Sequence, residues 1–167
     1  IRVYEYLYRN PVAGIPRIIN YYEDGNQLIV IEEYISGTSL HEKIDNSDLS
    51  VSDIRSYMIM LCNILEALHS MTPPIIHRDI KPSNIIITSY NYAMLLDFNA
   101  PKQFSGQNES DTGLIGTPGY AAPEQYGFGS SSPKTDIYSL GIVLREMLGS
   151  ITPVPNIAPI LHRLNMI

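Results

Sequence analysis

The stretch His77-Arg78-Asp79-Ile80-Lys81-Pro82-Ser83-Asn84, with Asp97-Phe98-Asn99 downstream of it, decides how this chain is read. Asp79 and Asp97 set two carboxylates on separate loops, so that one can take a proton from a hydroxyl while the other holds a divalent cation. Asn84 adds a neutral carbonyl oxygen, a hard ligand that suits Mg2+. Lys81 adds a cation able to sit against a phosphate through a charge-assisted contact, and Pro82 stiffens the loop that carries them. Transfer of a phosphoryl group needs little more: a hydroxyl held in line, a base beside it, and cations on the phosphate oxygens.

Working outward, two short strands, 85–88 and 93–97, follow the first loop and are joined by Ser89-Tyr90-Asn91-Tyr92. Upstream, Ser50 and Asp53 have the spacing of a capping box. Apolar residues then recur at Ile54, Tyr57, Met58, Leu61, Ile64, Leu65 and Leu68, which is helical spacing with one buried face. Cys62 falls within that helix and reads as a core residue. Met71-Thr72-Pro73-Pro74 ends it. Nearer the start, residues 1–9 read as the end of a helix stopped by Asn10-Pro11. Strands 17–23 and 27–34 form a hairpin across Glu23-Asp24-Gly25-Asn26. Ser36-Gly37-Thr38 breaks the second strand, and a short helix follows near 39–46. Downstream, a loop rich in Gly, Ser and Thr runs from about 101 to 119. A helix over 134–148 follows, with Ile137, Leu140, Leu144, Met147 and Leu148 on one side. The tail carries Pro153, Pro155 and Pro159 before another short helical pattern.

The length of 167 residues suggests one domain, and a 44% hydrophobic, 17% charged composition leaves enough apolar surface for a core. A net charge of -6 without any basic run argues against a nucleic-acid binder. The single cysteine excludes an internal disulfide and suits a reducing compartment. No apolar stretch reaches the roughly 18 residues of a bilayer span, and Ile1-Arg2-Val3-Tyr4-Glu5 lacks the apolar centre of a signal peptide. The expected location is the cytoplasm. His41, His69 and His162 have no ligand spacing for zinc, and the 12 tyrosines read as amphipathic residues at the core edge.

The catalytic-loop stretch resembles the H-R-D-x-K-x-x-N motif of protein kinases, in the form typical of the Ser/Thr branch. Asp97-Phe98-Asn99 resembles D-F-G, and Ala122-Pro123-Glu124 matches A-P-E. Gly116-Thr117-Pro118-Gly119-Tyr120-Ala121 resembles the loop that docks the residue after the target hydroxyl. Asp136-Ile137-Tyr138-Ser139-Leu140-Gly141 resembles the start of the buried helix that anchors the catalytic loop. Glu33-Tyr34-Ile35-Ser36-Gly37 resembles the hinge between lobes. The run from Ala122 to Gly127 is similar to bacterial kinases of this superfamily. Several motifs in the right order are specific where one triplet is weak.

The resemblance implies an α+β protein-kinase-like fold, with a mostly helical C-lobe and a remnant of the β-sheet N-lobe. It divides the chain into 1–32, the end of the N-lobe; 33–37, the hinge; and 38–167, a truncated C-lobe. It implies ATP-dependent transfer of the γ-phosphate to Ser or Thr hydroxyls of protein substrates. Asp79 is then the base or hydroxyl orienter and Lys81 the γ-phosphate contact. Asn84 and Asp97 bind Mg2+, with Mn2+ as an alternative. The backbone of Glu33 and Ile35 bonds adenine, and Ile86 packs under the ring. His77 is structural and packs on Phe98, and Thr117 positions the substrate. Arg78 implies control by negative charge at Ser105, Ser110 or Thr112, with Glu109 and Asp111 as partial mimics. No nucleic-acid partner is implied, and a dimer through the missing N-lobe is compatible with the family. The alternative is a pseudokinase acting as a protein-binding or scaffold module; the joint presence of Asp79, Lys81, Asn84 and Asp97 favours the enzyme.

Four departures stand out. Asn99 replaces the glycine of D-F-G, and Asn tolerates positive φ better than most residues. The sequence has no G-x-G-x-x-G loop and no strand Lys of the V-A-I-K type, so the 167 residues alone are expected to be inactive, a fragment of an active parent for which the family allows a membrane anchor. The helix Glu that partners that Lys would fall at or just before Ile1, with Glu5 about one turn too late. The usual Arg partner of Glu124 falls past Ile167, which leaves water, Arg145 or Arg163. Glu32 occupies the gatekeeper position at the back of the adenine pocket, where a carboxylate needs a partner or a raised pKa.

Overall fold

The computed structural model describes residues 2–25, 27–98, 102–103, 115–127 and 129–151. Asn26, Asn99, Ser105, Glu109, Ser110, Asp111, Thr112, Pro153, Pro155, Pro159, His162 and Arg163 lie outside the described residues.

Helix α1 (Arg2–Arg9) buries Val3 and Leu7, one turn apart on the same face. Strands β1 (Ile18–Asp24) and β2 (Gln27–Glu32) pair antiparallel, and Gly25, at φ 61, supplies the left-handed turn between them. The ladder continues one step further, with the Glu33 amide donating to the Arg17 carbonyl at 2.9 Å.

Gly37 does more than break a strand. Residues Gly37–Ser39 form β3, which pairs antiparallel with β5 (Ile85–Thr88), itself paired with β6 (Ala93–Leu95). A Cβ on Gly37 would lie 2.3 Å from the Ile87 carbonyl oxygen, so the glycine is there for close backbone approach. Gly37→Ala is therefore expected to destabilise by about 1–3 kcal/mol through overpacking, read as a lower melting temperature. The strand expected over 93–97 stops at Leu95, because Asp97 turns away at φ 69.

Helix α2 (Leu40–Asp45) starts on Ser39, whose hydroxyl accepts from the Glu42 amide at 3.1 Å. Helix α3 (Val51–His69) has both halves of the expected capping box. Asp53 N–H donates to Ser50 Oγ at 3.1 Å, and Ser50 N–H donates to Asp53 Oδ2 at 3.0 Å. Hydrogen bonds from Ser50 hold the Asp53 carboxyl below its usual range. The buried stripe is Ile54, Tyr57, Leu61, Ile64, Leu65 and Leu68. Cys62 lies off this stripe and is exposed, which corrects its reading as a core residue. The tyrosines also divide: Tyr57 is buried, whereas Tyr34 and Tyr90 stand in solvent.

Two further differences come from pairings remote in sequence. Ile75–Ile76 form β4, and Lys102–Gln103, expected within a loop, form β7 antiparallel to it. Helix α4 (Pro133–Ser150) buries Thr135, Asp136, Ser139, Leu140, Val143 and Met147. Ile137 and Leu148 face outward, so the helix is rotated from the face its apolar residues suggest. The reason is Asp136, whose hydrogen bonds require it inside.

One cluster joins Leu61, Leu65, Leu68, Ile80, Leu95, Phe98, Leu140, Val143 and Met147, and extends to Val3, Leu7 and Ile18. Each such side chain stabilises by roughly 1.5–3 kcal/mol relative to exposure. The β-sheet region packed against α3 and α4 makes the bilobal, protein-kinase-like α+β fold that the sequence led us to expect.

Candidate active site

The connection between β4 and β5 carries the decisive stretch. It passes Arg78 at φ 74 and ends in a turn of 3-10 helix, Pro82–Asn84. One buried side chain, Asp136, holds its first half. Asp136 accepts from the His77 amide through Oδ2 and from the Arg78 amide through Oδ1, both at 2.9 Å. His69 Nε2 lies 2.8 Å from Asp136 Oδ2. The partner of His69 is thus a carboxylate brought from α4, a pairing that no local spacing announces.

His77 is fully buried, and burial pushes its imidazole below the usual range, so it is neutral. Nδ1 faces the Asp79 amide at 3.3 Å and Nε2 faces the Leu96 carbonyl at 3.0 Å, which places the proton on Nε2. Its ring meets Phe98 edge-on, with centroids 4.6 Å apart. The expected structural role of His77 against Phe98 is what the structure shows.

Asp79, Lys81, Asn84 and Thr117 converge. The Thr117 hydroxyl donates to Asp79 Oδ1 at 2.7 Å and accepts from Lys81 Nζ at 2.8 Å. Lys81 Nζ also lies 2.9 Å from Asp79 Oδ2. Asn84 Nδ2 donates to the Asp79 carbonyl at 2.9 Å and to its Oδ2 at 3.2 Å. Burial alone would raise the Asp79 carboxyl, but the bonds from Thr117, Lys81 and Asn84 outweigh it and hold the group below its ordinary range. Asp79 is ionised at neutral pH.

Asp97 reaches the same region through the backbone. The Leu96 amide donates to the Asn84 carbonyl at 2.8 Å, which sets Asp97 one residue from the Asn84 main chain. Asp97 and Phe98 line a cavity of about 430 Å³ with Tyr4, Leu28, Val30 and Glu32. The Tyr4 hydroxyl donates to the Phe98 carbonyl. Burial, then the charges of Glu32 and Asp97, push Tyr4 up to about 12. Glu5 does not face this cavity; it pairs with Arg9 at 2.8 Å on the surface. Sequence reading missed Tyr4, since a tyrosine on an amphipathic helix carries no catalytic signal.

Glu32 stands as the sequence implied, a carboxyl raised by burial and then by the Asp97 charge. Among the described residues no hydrogen bond or ion pair engages it. Its folded pKa lies above the unfolded one, so stability falls as pH rises through that window. Glu32→Met is expected to raise the melting temperature at neutral pH by roughly 2–4 °C. That corresponds to about 1 kcal/mol after solvent screening of a half-exposed group, and the gain should vanish near pH 4.

Of the residues named for adenine, Ile86 is placed by the strand pairing of β3 with β5. A Cβ on Gly37 would lie 2.6 Å from Ile86 Cγ2, so Ile86 borders the 33–37 segment. Glu33 uses its amide on Arg17. Ile35 is half-buried. Glu124 accepts from the Thr135 hydroxyl at 2.6 Å, so among the described residues its partner is a hydroxyl rather than Arg145. Among the described residues, no group of three His, Cys, Asp or Glu side chains forms a metal cluster, and no helix is long and apolar enough to cross a membrane.

Comparison with known proteins gives the family. The protein kinase domain family model matches residues 5–165. A receptor-like protein kinase of Arabidopsis thaliana is 33% identical over 151 residues, covering 86% of this chain and 17% of the relative. Serine/threonine-protein kinase D of Synechocystis is 35% identical over 149 residues, covering 85% of this chain and 28% of that protein. Serine/threonine-protein kinase B of the same organism is 31% identical over 150 residues, covering 83% and 26%. The chain belongs to the protein kinase domain family, on its serine/threonine branch. It spans between about a sixth and about a quarter of the length of these relatives.

Proposed function

We propose that the protein carrying this chain transfers the γ-phosphate of ATP to Ser or Thr hydroxyls of protein substrates in the cytoplasm. The observation that carries the reading is the Asp79–Thr117–Lys81–Asn84 network, in which an ionised carboxylate, a hydroxyl, an ammonium group and an amide share one spot. In this reading residues 1–32 close an N-lobe, 33–37 form the hinge, and 38–167 belong to the C-lobe.

Asp79 orients the substrate hydroxyl and takes its proton as the phosphoryl group leaves the nucleotide. Lys81 is held 2.9 Å from Asp79 Oδ2, where its charge offsets the anion that develops on the transferring group. Thr117 ties the substrate-docking loop to both residues. The backbone of Glu33 and Ile35 holds adenine, and Ile86 packs under it.

The donor set fits Mg2+, or Mn2+ in its place. Asn84 spends Nδ2 on Asp79, which leaves Oδ1 as a neutral oxygen ligand. Asp97 adds a carboxylate that no described residue pairs. The metal, when bound, neutralises charge on the nucleotide phosphates. In titration calorimetry on the full-length protein, ATP binding should require Mg2+, and Asp97→Ala should weaken it at least tenfold. Binding that ignores both the metal and this substitution would end the proposal.

A further inference from the structure

Gln125 is an uncharged side chain with no place in the chemistry above, yet it is fully buried. It sits in a turn of 3-10 helix, Pro123–Tyr126, and spends both ends of its amide on backbone. Nε2 donates to the Arg78 carbonyl at 2.7 Å and to the Ile115 carbonyl at 3.1 Å. Oε1 accepts from the Ala122 amide at 2.9 Å. The Ile115 amide returns a bond to the Gln125 carbonyl at 3.1 Å. One side chain therefore joins three stretches of chain: the catalytic loop, the start of the docking loop and its end.

The Arg78 contact matters most. Arg78 has φ 74, a left-handed conformation that a residue with a Cβ keeps only where its surroundings enforce it. Its N–H is held by Asp136 and its C=O by Gln125, both side chains fully buried. Asp79 is the next residue, so this backbone unit aims the carboxylate. The packing around the clamp is tight. A Cβ on Gly116 would lie 2.8 Å from both the Arg78 oxygen and Gln125 Nε2. Gly116 is followed by Thr117, which bonds Asp79 and Lys81. The amide thus registers the docking loop against the catalytic loop, bonding one residue before Asp79 and two residues before Thr117.

We infer that Gln125 is a positioning residue, whose buried amide clamps the Arg78 carbonyl and so holds Asp79 and Thr117 in mutual register. This rests on the reading of Asp79 as the group that orients the substrate hydroxyl. The two hydrogen bonds that Gln125 donates are the crux, because both targets are carbonyl oxygens. A carboxylate at this position would place oxygen against oxygen, and only its protonated form could donate, to one of the two.

The first test does not depend on activity. Amide hydrogen exchange is measured on wild type and Gln125→Leu, following the amides of Ile115, Tyr120 and Ala121, each of which donates to a backbone carbonyl and not to the Gln125 side chain. Exchange there should accelerate at least tenfold, while Leu61 and Leu65 in α3 stay unchanged. No local change, or equal acceleration in α3, would overturn the clamp. The second test uses phosphotransfer to a serine peptide by the full-length protein. Gln125→Leu should lower kcat at least tenfold at every pH with the KM for ATP unchanged. Gln125→Glu should match it near pH 8 and recover at least threefold, relative to wild type, near pH 6. Wild-type kcat in both variants would also overturn the clamp. Full activity in Asp79→Asn would strike the catalytic reading instead, and faster exchange in Gln125→Leu would still support the clamp.

Discussion

Asp136→Ala is expected to cost about 3–5 kcal/mol of folding stability, enough to leave much of a marginally stable domain unfolded. The carboxylate is wholly inaccessible and accepts from the His77 and Arg78 amides, with His69 Nε2 against the same oxygen that His77 uses. Its removal strands two buried backbone donors, each costing about 1–3 kcal/mol without a partner, and leaves a small cavity. Asp136→Asn keeps the shape but turns an NH2 group toward one of those donors, so it should recover little. Urea unfolding is the measurement: a midpoint within error of wild type for Asp136→Ala would show that the catalytic loop does not depend on this anchor. The loss should spare the local capping of α3, because Ser50 and Asp53 satisfy each other.

Asp79→Asn in the full-length protein is expected to lower kcat by roughly 10²–10⁴-fold while the affinity for ATP changes little. The amide keeps the size of the side chain and can still accept from Thr117, so the network should survive in outline. What it lacks is a basic oxygen to receive the hydroxyl proton. Stability should move by less than about 1 kcal/mol, since the Lys81 pair is partly solvated. The pH dependence carries a sign. The folded carboxyl lies below its unfolded value, so its contribution is present above about pH 4 and is lost as pH falls through the folded value. The variant should not show that acid-side loss. A kcat equal to wild type would remove Asp79 from the mechanism.

Much of the fold was legible because its signals are local. The Ser50 capping box and the Ile54-to-Leu68 stripe specify α3 through contacts three and four residues apart, and both were found as read. Gly25 marks its turn because a left-handed φ is nearly free only for glycine. The catalytic loop was legible for a different reason. Its functional groups lie within eight residues of chain, so Asp79, Lys81 and Asn84 could be assembled from sequence order alone.

What sequence did not carry depends on partners that arrive from far along the chain. Gly37 reads as a strand breaker, yet it is the point where β3 meets β5, because the Ile87 backbone fills the space a side chain would take. Lys102–Gln103 become a strand only because Ile75–Ile76 offer an edge. Apolar spacing places Ile137 and Leu148 on the inner face of α4, but Asp136 needs two amides and an imidazole that lie inside, and its burial turns the helix. Gln125 and His69 carry no sequence signal at all, since an amide or an imidazole acquires its role only when a specific carbonyl or carboxylate is brought to it. The sequence by itself determined the helices, the hairpin and the motifs of the family. The tertiary structure decided which polar side chains are buried and what they hold, because a buried hydrogen bond is specified by two positions at once and local pattern reports only one.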